Sequence, residues 1–140
     1  MATTTPLYTA EVTSTGGRFE GHARSTDGNL DLQIVVPGSE GEGTNPEELF
    51  AATYAACFNN ALLSVARRAR IDPGEVSVTA RVHLARAEDG RYQLAVELET
   101  TVPKLGREEA EDLVHRADER CPYSNAIRGN VAVEHLVRAG

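Results

Sequence analysis

Between Leu7 and Val36, apolar and polar residues alternate with the period expected of half-buried strands. Two turn-forming segments interrupt this alternation, the Gly16-Gly17 pair and the TDGN sequence of residues 26–29. Residues 18–25 form a weaker strand candidate between the turns. The apolar positions of the two clearer strands are Tyr8, Ala10, Val12, Leu30, Leu32, Ile34 and Val36. The pattern therefore predicts a three-stranded meander with one buried face.

In the segment NPEELFAATYAACFNN, residues 45–60, the strand-like alternation is replaced by the pattern of a helix. Asn45 suits the N-cap position, Pro46 suits the first helical position, and Glu48 completes a capping-box arrangement. We predict a helix that continues to about Arg70. Because its first half is apolar on nearly every face, we expect this helix to be buried on all sides.

The second half of the chain predicts two more strands, a second helix and a closing strand. Period-two alternation covers residues 76–84 and 92–100, and Val131 to Val137 forms the closing strand. Arg107 to Arg120 is an amphipathic helix. Its apolar stripe consists of Ala110, Leu113, Val114, Ala117 and Cys121. The order βββ–α–ββ–α–β predicts an α+β fold in one domain over residues 1–140.

A helix buried on all sides needs more cover than one sheet and one short helix supply in a domain of this size. A second copy of the chain would supply the remainder. We therefore expect an intertwined homodimer with twofold symmetry.

Charge and composition exclude several classes of function. The net charge is −7 and the basic residues are scattered, whereas nucleic-acid binding requires clustered positive charge. No apolar run approaches the roughly 20 residues that span a bilayer, and the N-terminal MATTTPLYTA has no signal-peptide pattern. We expect a cytoplasmic protein that binds neither nucleic acid nor membranes.

The candidate chemical groups are the two cysteines, Cys57 and Cys121. They are too few for a secreted disulfide framework, and the four histidines lie far apart, so a zinc site is not indicated. A free buried cysteine often acts as a small hydrophobe, and this interpretation suits each cysteine alone. However, the two predicted helices share one core, so their apolar stripes could bring the sulfurs together. In a reducing compartment such a pair would form a transient disulfide.

A redox-active cysteine must ionise, and an apolar environment alone would raise its pKa. The candidates for a neighbouring positive group are Arg18, Arg81 and Arg128, each of which suits a solvated surface charge equally well. Glu47 and Glu48 similarly suit the first turn of the helix, where a carboxylate complements the helix dipole. The pattern of residues leaves these alternatives open.

Two segments, NPEELFAATYAACF and CPYSNAIRGN, resemble the signature segments of the organic hydroperoxide resistance branch of the OsmC-like family. The STGGR segment that ends at Arg18 is similar to the N-terminal motif of the same family. The likeness covers essentially the whole chain in the same order. Thr53 and Ile127 depart from the pattern, which has glycine and threonine there, and neither is a reacting group. The resemblance implies the OsmC-like fold.

The resemblance also implies a role for four residues. Cys57 matches the peroxidatic cysteine, which becomes a sulfenic acid, and Cys121 matches the resolving cysteine, which condenses with it to a disulfide. Arg18 matches the arginine that stabilises the thiolate, and Glu47 matches the carboxylate that orients this arginine. The implied reductant is dihydrolipoamide or a lipoylated protein. No metal, flavin or haem cofactor is required.

Aromatic residues near the cysteines suggest the class of substrate. Phe50, Tyr54, Phe58 and Tyr123 could bury an alkyl or aryl tail, although each is equally interpretable as plain core. The expected function is a thiol-dependent peroxidase that reduces alkyl, aryl and fatty-acid hydroperoxides to alcohols. The alternative is a non-enzymatic thiol redox sensor or lipid-binding module that uses the same pocket.

Helix geometry separates two of the implied site residues. Glu47 and Cys57 are ten residues apart, which corresponds to about 15 Å of rise along an unbroken helix. This is too far for one cluster of side chains. Our hypothesis is therefore that Glu47 reaches the Cys57 of the other subunit.

Overall fold

A computed structural model describes residues 5–140. Residues 1–4, which belong to the segment without a signal-peptide pattern, lie outside the described residues. The chain divides into two compact units, one that ends at residue 46 and one that covers residues 47–140. The single domain expected over residues 1–140 stays a prediction.

The first unit contains an antiparallel sheet with the order β1–β2–β3, which confirms the predicted meander. Its strands are β1 (Val12–Thr15), β2 (Gly21–Ser25) and β3 (Asp31–Ile34). The predicted buried face is wrong for β1, because all four of its side chains are exposed. The strand also begins later than predicted. Its pairing with β2 starts at Val12, which lies opposite Ser25, so within residues 5–140 the strand does not extend to the residues before Val12.

The second unit is built around α1 (Pro46–Ala69), which begins directly after Asn45 and ends within one residue of the predicted position. The main-chain N–H of Ile71 donates to the Ala66 carbonyl at 2.9 Å. Arg70, which follows the helix, adopts the left-handed conformation with φ of 58°. This hydrogen bond satisfies a carbonyl of the last turn and ends the helix.

Only one side of α1 is buried within the described chain, so the expected burial on all sides, which includes cover by a second copy, stays a prediction. The buried residues are Tyr54, Phe58, Ala61, Leu62, Val65 and Ala66. The exposed residues on the opposite side form an α1 stripe of Ala52, Thr53, Ala56, Asn60 and Leu63. By length and composition alone α1 could cross a membrane, contrary to our reading of the sequence. Its buried side nevertheless packs into the core, so we interpret it as a core helix.

The sheet of the second unit has the order β4–β5–β6. The predicted hairpin is formed by β4 (Ser77–Arg86) and β5 (Tyr92–Val102), and β6 (Ala132–Ala139) pairs parallel to β5. The chain reaches β6 through α2 (Arg107–Arg120) and α3 (Pro122–Ile127). All five residues of the predicted α2 stripe are buried and pack with one side of α1 and with β5. The predicted α+β order is confirmed, with α3 as an addition.

Candidate redox site

Cys121 lies in the junction between α2 and α3. Its backbone is extended, with φ of −68° and ψ of 120°, because Pro122 disfavours the helical conformation for the preceding residue. The Cys121 N–H donates to the Ala117 carbonyl at 2.9 Å, and the Asn125 N–H donates to the Cys121 carbonyl at 3.0 Å. Both helices therefore hold this residue by its main chain, and its side chain is fully buried.

Cys57 lies at the middle of α1 and is half-buried. The Cys121 thiol donates to the Cys57 sulfur, and the two sulfurs are 3.7 Å apart. Both cysteines are free thiols. Since a disulfide bond is about 2.05 Å long, the sulfurs need to approach by less than about 2 Å to form one. The two thiols therefore lie close enough for a small movement to join them in a disulfide.

The surroundings of Cys57 favour its neutral form. Burial raises the pKa of the Cys57 thiol, and the neighbouring Cys121 sulfur raises it further. A hydrogen bond from the main-chain N–H of Tyr123 acts in the opposite direction but does not outweigh burial. A reactive thiolate at this position therefore needs an additional positive charge.

Three of the four predicted aromatic residues contact one another and form an aromatic trio, and the fourth packs elsewhere. Phe50, Tyr54 and Tyr123 contact one another, with ring centroids 5.9–6.2 Å apart. Phe58 instead packs against His135, with centroids 5.4 Å apart. Tyr54 and Phe58 are fully buried, whereas Phe50 and Tyr123 keep part of their surface exposed.

A polar cluster lies beside Cys121, and of its members only Arg128 was a candidate from the sequence. It consists of Asp118, Ser124, Arg128 and His135, and we call it the Asp118 cluster. The Asp118 carboxylate accepts a hydrogen bond from Arg128 at 3.2 Å and lies 3.3 Å from His135 Nε2, and Ser124 lies beside it. Asp118 and Ser124 are each three residues from Cys121, a helical spacing that could have identified them.

One cavity of the second unit is lined in part by the Asp118 cluster. This cavity of about 540 Å³ lies between α2 and β6, and neither cysteine lines it. Within residues 5–140, no three His, Cys, Asp or Glu side chains form a group that could hold a metal ion.

Comparison with known proteins identifies the family. The family model described as OsmC-like protein matches residues 38–136. This chain belongs to the OsmC-like family. An organic hydroperoxide resistance protein from Xanthomonas axonopodis pv. citri (strain 306) is 47% identical over 132 residues, which cover 91% of this chain and 92% of that protein. The organic hydroperoxide resistance protein OhrB of Bacillus subtilis (strain 168) is 48% identical over 132 residues, which cover 91% and 96%.

A solved structure confirms the OsmC-like fold expected from the sequence. The crystal structure of an organic hydroperoxide resistance protein from Elizabethkingia anophelis, with thiocyanate bound, superposes with a TM-score of 0.92. It is 43% identical to this OsmC-like protein, and the superposition covers 98% of this chain and 100% of the other. The predicted resemblance to the organic hydroperoxide resistance branch is therefore also confirmed.

Two of the three candidate arginines of this OsmC-like protein bind carboxylates. Arg81 lies 2.9 Å from Glu99, on the sheet, and Arg128 belongs to the Asp118 cluster. The third candidate, Arg18, lies in the turn between β1 and β2 and is half-buried. Its role beside Cys57 stays a prediction.

Proposed function

We propose that this OsmC-like protein is a thiol-dependent peroxidase that reduces organic hydroperoxides to alcohols. The observation that carries the proposal is the 3.7 Å separation of the Cys57 and Cys121 sulfurs. The names of the similar proteins, organic hydroperoxide resistance proteins at 47% and 48% identity, support the class of substrate. We place this activity in a bacterial cytoplasm, where reduced thiols persist.

The reaction consumes one hydroperoxide and one dithiol. The Cys57 thiolate attacks the O–O bond, the alkoxide leaves and takes up a proton as the alcohol, and Cys57 becomes a sulfenic acid. The Cys121 sulfur then forms a bond to the Cys57 sulfur, and the S–O bond breaks with release of water. A lipoyl-type dithiol, either dihydrolipoamide or a lipoylated protein, reduces the disulfide and becomes a cyclic disulfide. These steps require neither a metal nor an organic cofactor.

Arg18 supplies the positive charge that Cys57 needs. A guanidinium beside the sulfur offsets the cost of burying a thiolate, and its fixed donors can polarise a peroxide oxygen. Glu47 orients that guanidinium by accepting hydrogen bonds from it.

A second copy of the chain completes the site. The α1 stripe, which includes Ala56 and Leu63, is largely apolar and exposed, and a twofold partner would cover it. In addition, α1 is unbroken from Pro46 to Ala69, so Glu47 lies about 15 Å along the axis from Cys57 of its own chain. We therefore assign Glu47 to the Cys57 of the other subunit in an intertwined homodimer.

The aromatic trio binds the organic tail of the hydroperoxide. Phe50 and Tyr123 are partly exposed, so they can contact a ligand directly, whereas Tyr54 and Phe58 support them from the core. Each methylene that becomes buried contributes about 0.8 kcal/mol. Hydrogen peroxide has no tail and is therefore the poorer substrate.

The test is steady-state turnover of cumene hydroperoxide with dihydrolipoamide as the electron donor. We expect sustained turnover that Cys57→Ser abolishes, and much slower turnover with glutathione. A single stoichiometric oxidation without turnover would instead indicate a redox sensor. Binding of the hydroperoxide without oxidation of Cys57 would indicate a lipid-binding module.

A further inference from the structure

Pro122 leaves one carbonyl at the end of α2 without its helical donor. In an α-helix the carbonyl of each residue accepts a hydrogen bond from the N–H four residues later. For Asp118 that position is Pro122, and proline has no N–H. The preceding carbonyl, that of Ala117, keeps the regular pattern, because the Cys121 N–H donates to it at 2.9 Å. The proline that bends the chain at Cys121 therefore creates an acceptor that needs a donor from elsewhere.

Arg128 supplies this donor. Its Nη2 donates at 2.9 Å to the Asp118 carbonyl oxygen and at 3.2 Å to the Asp118 carboxylate. Its Nη1 donates at 2.6 Å to the side-chain oxygen of Asn125 in α3. Because a guanidinium is planar and presents its donors in a fixed geometry, Arg128 fixes the last turn of α2 relative to α3. We call Arg128 and its two partners, Asp118 and Asn125, the Arg128 clip.

The Arg128 clip encloses Cys121. Asp118 lies three residues before the cysteine and Asn125 lies four residues after it. In addition, the Asn125 N–H donates to the Cys121 carbonyl at 3.0 Å, so one partner of Arg128 contacts the cysteine directly. The Cys121 sulfur, which lies 3.7 Å from that of Cys57, projects from this enclosed segment.

The clip also contacts the part of α1 that carries the other cysteine. The Asp118 carboxylate lies 3.3 Å from His135 Nε2 in β6. The His135 ring packs against Phe58, with ring centroids 5.4 Å apart, and Phe58 directly follows Cys57. The junction that holds one cysteine is therefore linked through His135 to the helical turn that holds the other.

We propose that Arg128 is a positioning residue for disulfide formation, which holds the α2–α3 junction so that the Cys121 sulfur stays within reach of Cys57. The inference rests on the proposed peroxidase function. Disulfide formation makes the S–S bond and breaks the S–O bond of the Cys57 sulfenic acid, and the Cys121 proton leaves with the hydroxyl as water. A displacement of about 1 Å can slow a reaction by as much as 100-fold. Oxidation of Cys57 by the hydroperoxide does not use the Cys121 sulfur, so it should not depend on Arg128.

The test separates these two steps in Arg128→Gln, whose shorter, uncharged side chain cannot join Asp118 to Asn125. One equivalent of cumene hydroperoxide is added, and the Cys57 sulfenic acid is trapped with dimedone and quantified by mass spectrometry against the disulfide. We expect oxidation of Cys57 to stay within about twofold of wild type and disulfide formation to slow by about fivefold or more. Trapped sulfenic acid should therefore accumulate.

The matched control is Arg107→Gln, at the opposite end of α2. Arg107 donates at 2.9 Å to the Glu111 carboxylate and at 3.2 Å to the Val137 carbonyl. Its replacement therefore removes the same charge and the same two kinds of hydrogen bond, but away from the cysteine junction, and disulfide formation should keep the wild-type rate. All rates are measured well below the midpoint of thermal unfolding of each variant. Equal slowing by Arg107→Gln overturns the proposal, as does a wild-type rate in folded Arg128→Gln.

Changes at Asn125 separate positioning from the effect of the arginine charge. Asn125→Ala removes the α3 attachment but retains Arg128, and it should slow disulfide formation, whereas Asn125→Asp retains an acceptor and should restore a rate within about twofold of wild type. The double variant Arg128→Gln, Asn125→Ala should be no slower than Arg128→Gln alone, because both changes open the same clip. If Arg128→Gln instead slows the oxidation of Cys57 and Asn125→Ala changes neither step, Arg128 acts through its charge and the positioning role is wrong.

Diamide distinguishes this proposal from the proposed peroxidase function. Diamide takes up one thiol as an adduct, which the second thiol displaces to form the disulfide and a hydrazine, so the measurement requires no hydroperoxide. If Arg128→Gln slows disulfide formation with diamide while cumene hydroperoxide oxidises neither protein, the positioning role holds and the peroxidase function fails. If hydroperoxide turnover is intact but Arg128→Gln forms the disulfide at the wild-type rate with both oxidants, only the positioning role fails.

Discussion

The sulfur of Cys121 lies 3.7 Å from the sulfur of Cys57, although 64 residues separate them in the chain. The fold brings one cysteine from the middle of α1 against another in the junction between α2 and α3. One sulfur is fully buried and the other is half-buried. This difference agrees with the proposed order of events, because the more accessible thiol is the one that meets the hydroperoxide.

Replacement of Cys121 by serine should separate oxidation from disulfide formation. We expect Cys121→Ser to consume one equivalent of cumene hydroperoxide and to stop at the sulfenic acid of Cys57. Steady-state turnover with dihydrolipoamide should fall by about tenfold or more, because the disulfide is the form that dithiols reduce efficiently. Intact-mass measurement distinguishes the gain of one oxygen from the loss of two hydrogens. Normal cycling of this variant with the dithiol would show that Cys121 is not the resolving cysteine.

The pH dependence of Cys57 should reveal the proposed positive charge. Burial raises the pKa of the Cys57 thiol, and our proposal assigns the opposing charge to Arg18. Arg18→Gln should therefore raise this pKa by about one unit or more and decrease the thiolate fraction at neutral pH. The measurement is the rate of alkylation by iodoacetamide against pH, in a Cys121→Ser background so that Cys57 alone reacts.

The matched control for the charge prediction is Arg24→Gln. Arg24 is an exposed arginine of β2, the strand that follows Arg18 in the chain. Its loss changes the net charge equally, so it should leave the alkylation profile of Cys57 unchanged. Superimposable profiles for Arg18→Gln and wild type would remove Arg18 from the site.

Loss of the Tyr54 hydroxyl should destabilise the protein. Tyr54→Phe removes a hydrogen bond of 2.6 Å to Ser124 in a fully buried setting. We expect the free energy of unfolding in urea to decrease by about 1 kcal/mol. Tyr92→Phe is the control: Tyr92 is 64% exposed and its hydroxyl accepts a hydrogen bond from Arg86 at the surface. This control should change the free energy by less than about 0.5 kcal/mol, and equal effects of the two variants would contradict the prediction.

Replacement of an alanine in the α1 stripe should test the proposed dimer. Ala56→Arg places a charged side chain on the exposed side of α1, where the second copy is expected to pack. We expect the variant to shift from dimer to monomer in sedimentation velocity and to lose peroxidase turnover, because burial of an unpaired charge is costly. Ala85→Arg, at an exposed alanine of β4, should remain dimeric and active. A wild-type protein that sediments as a monomer at micromolar concentration would exclude the proposed assembly.

The elements that the sequence predicted well are those with local signals. Pro46 begins α1, and Pro122 ends α2 as expected. The apolar stripe that ends at Cys121 faces the core, and its spacing, which matches the period of a helix, made this predictable. The short α3 was missed, since six residues are too few to show a helical period.

The prediction that failed concerned burial. Alternation in β1 predicted a buried face, but Val12 remains 48% exposed. The apolar composition of α1 predicted burial on every side, and within one chain Ala56 and Leu63 are exposed, so their cover by a second copy stays a prediction. Composition records that a side chain is apolar, whereas the surface that covers it depends on which other elements pack there. That surface is a property of the tertiary or quaternary structure.

By itself, the sequence determined the order of strands and helices, the positions of the two cysteines on apolar stripes, and the resemblance to the family. Each of these depends on residues that are close together in the chain or on recognisable segments. Only the tertiary structure decided that the two sulfurs are in contact, and that Tyr54 and Ser124 form a buried hydrogen bond. Tyr54 and Ser124 are 70 residues apart, and their contact requires α1, α2 and α3 to pack together, which no local pattern specifies.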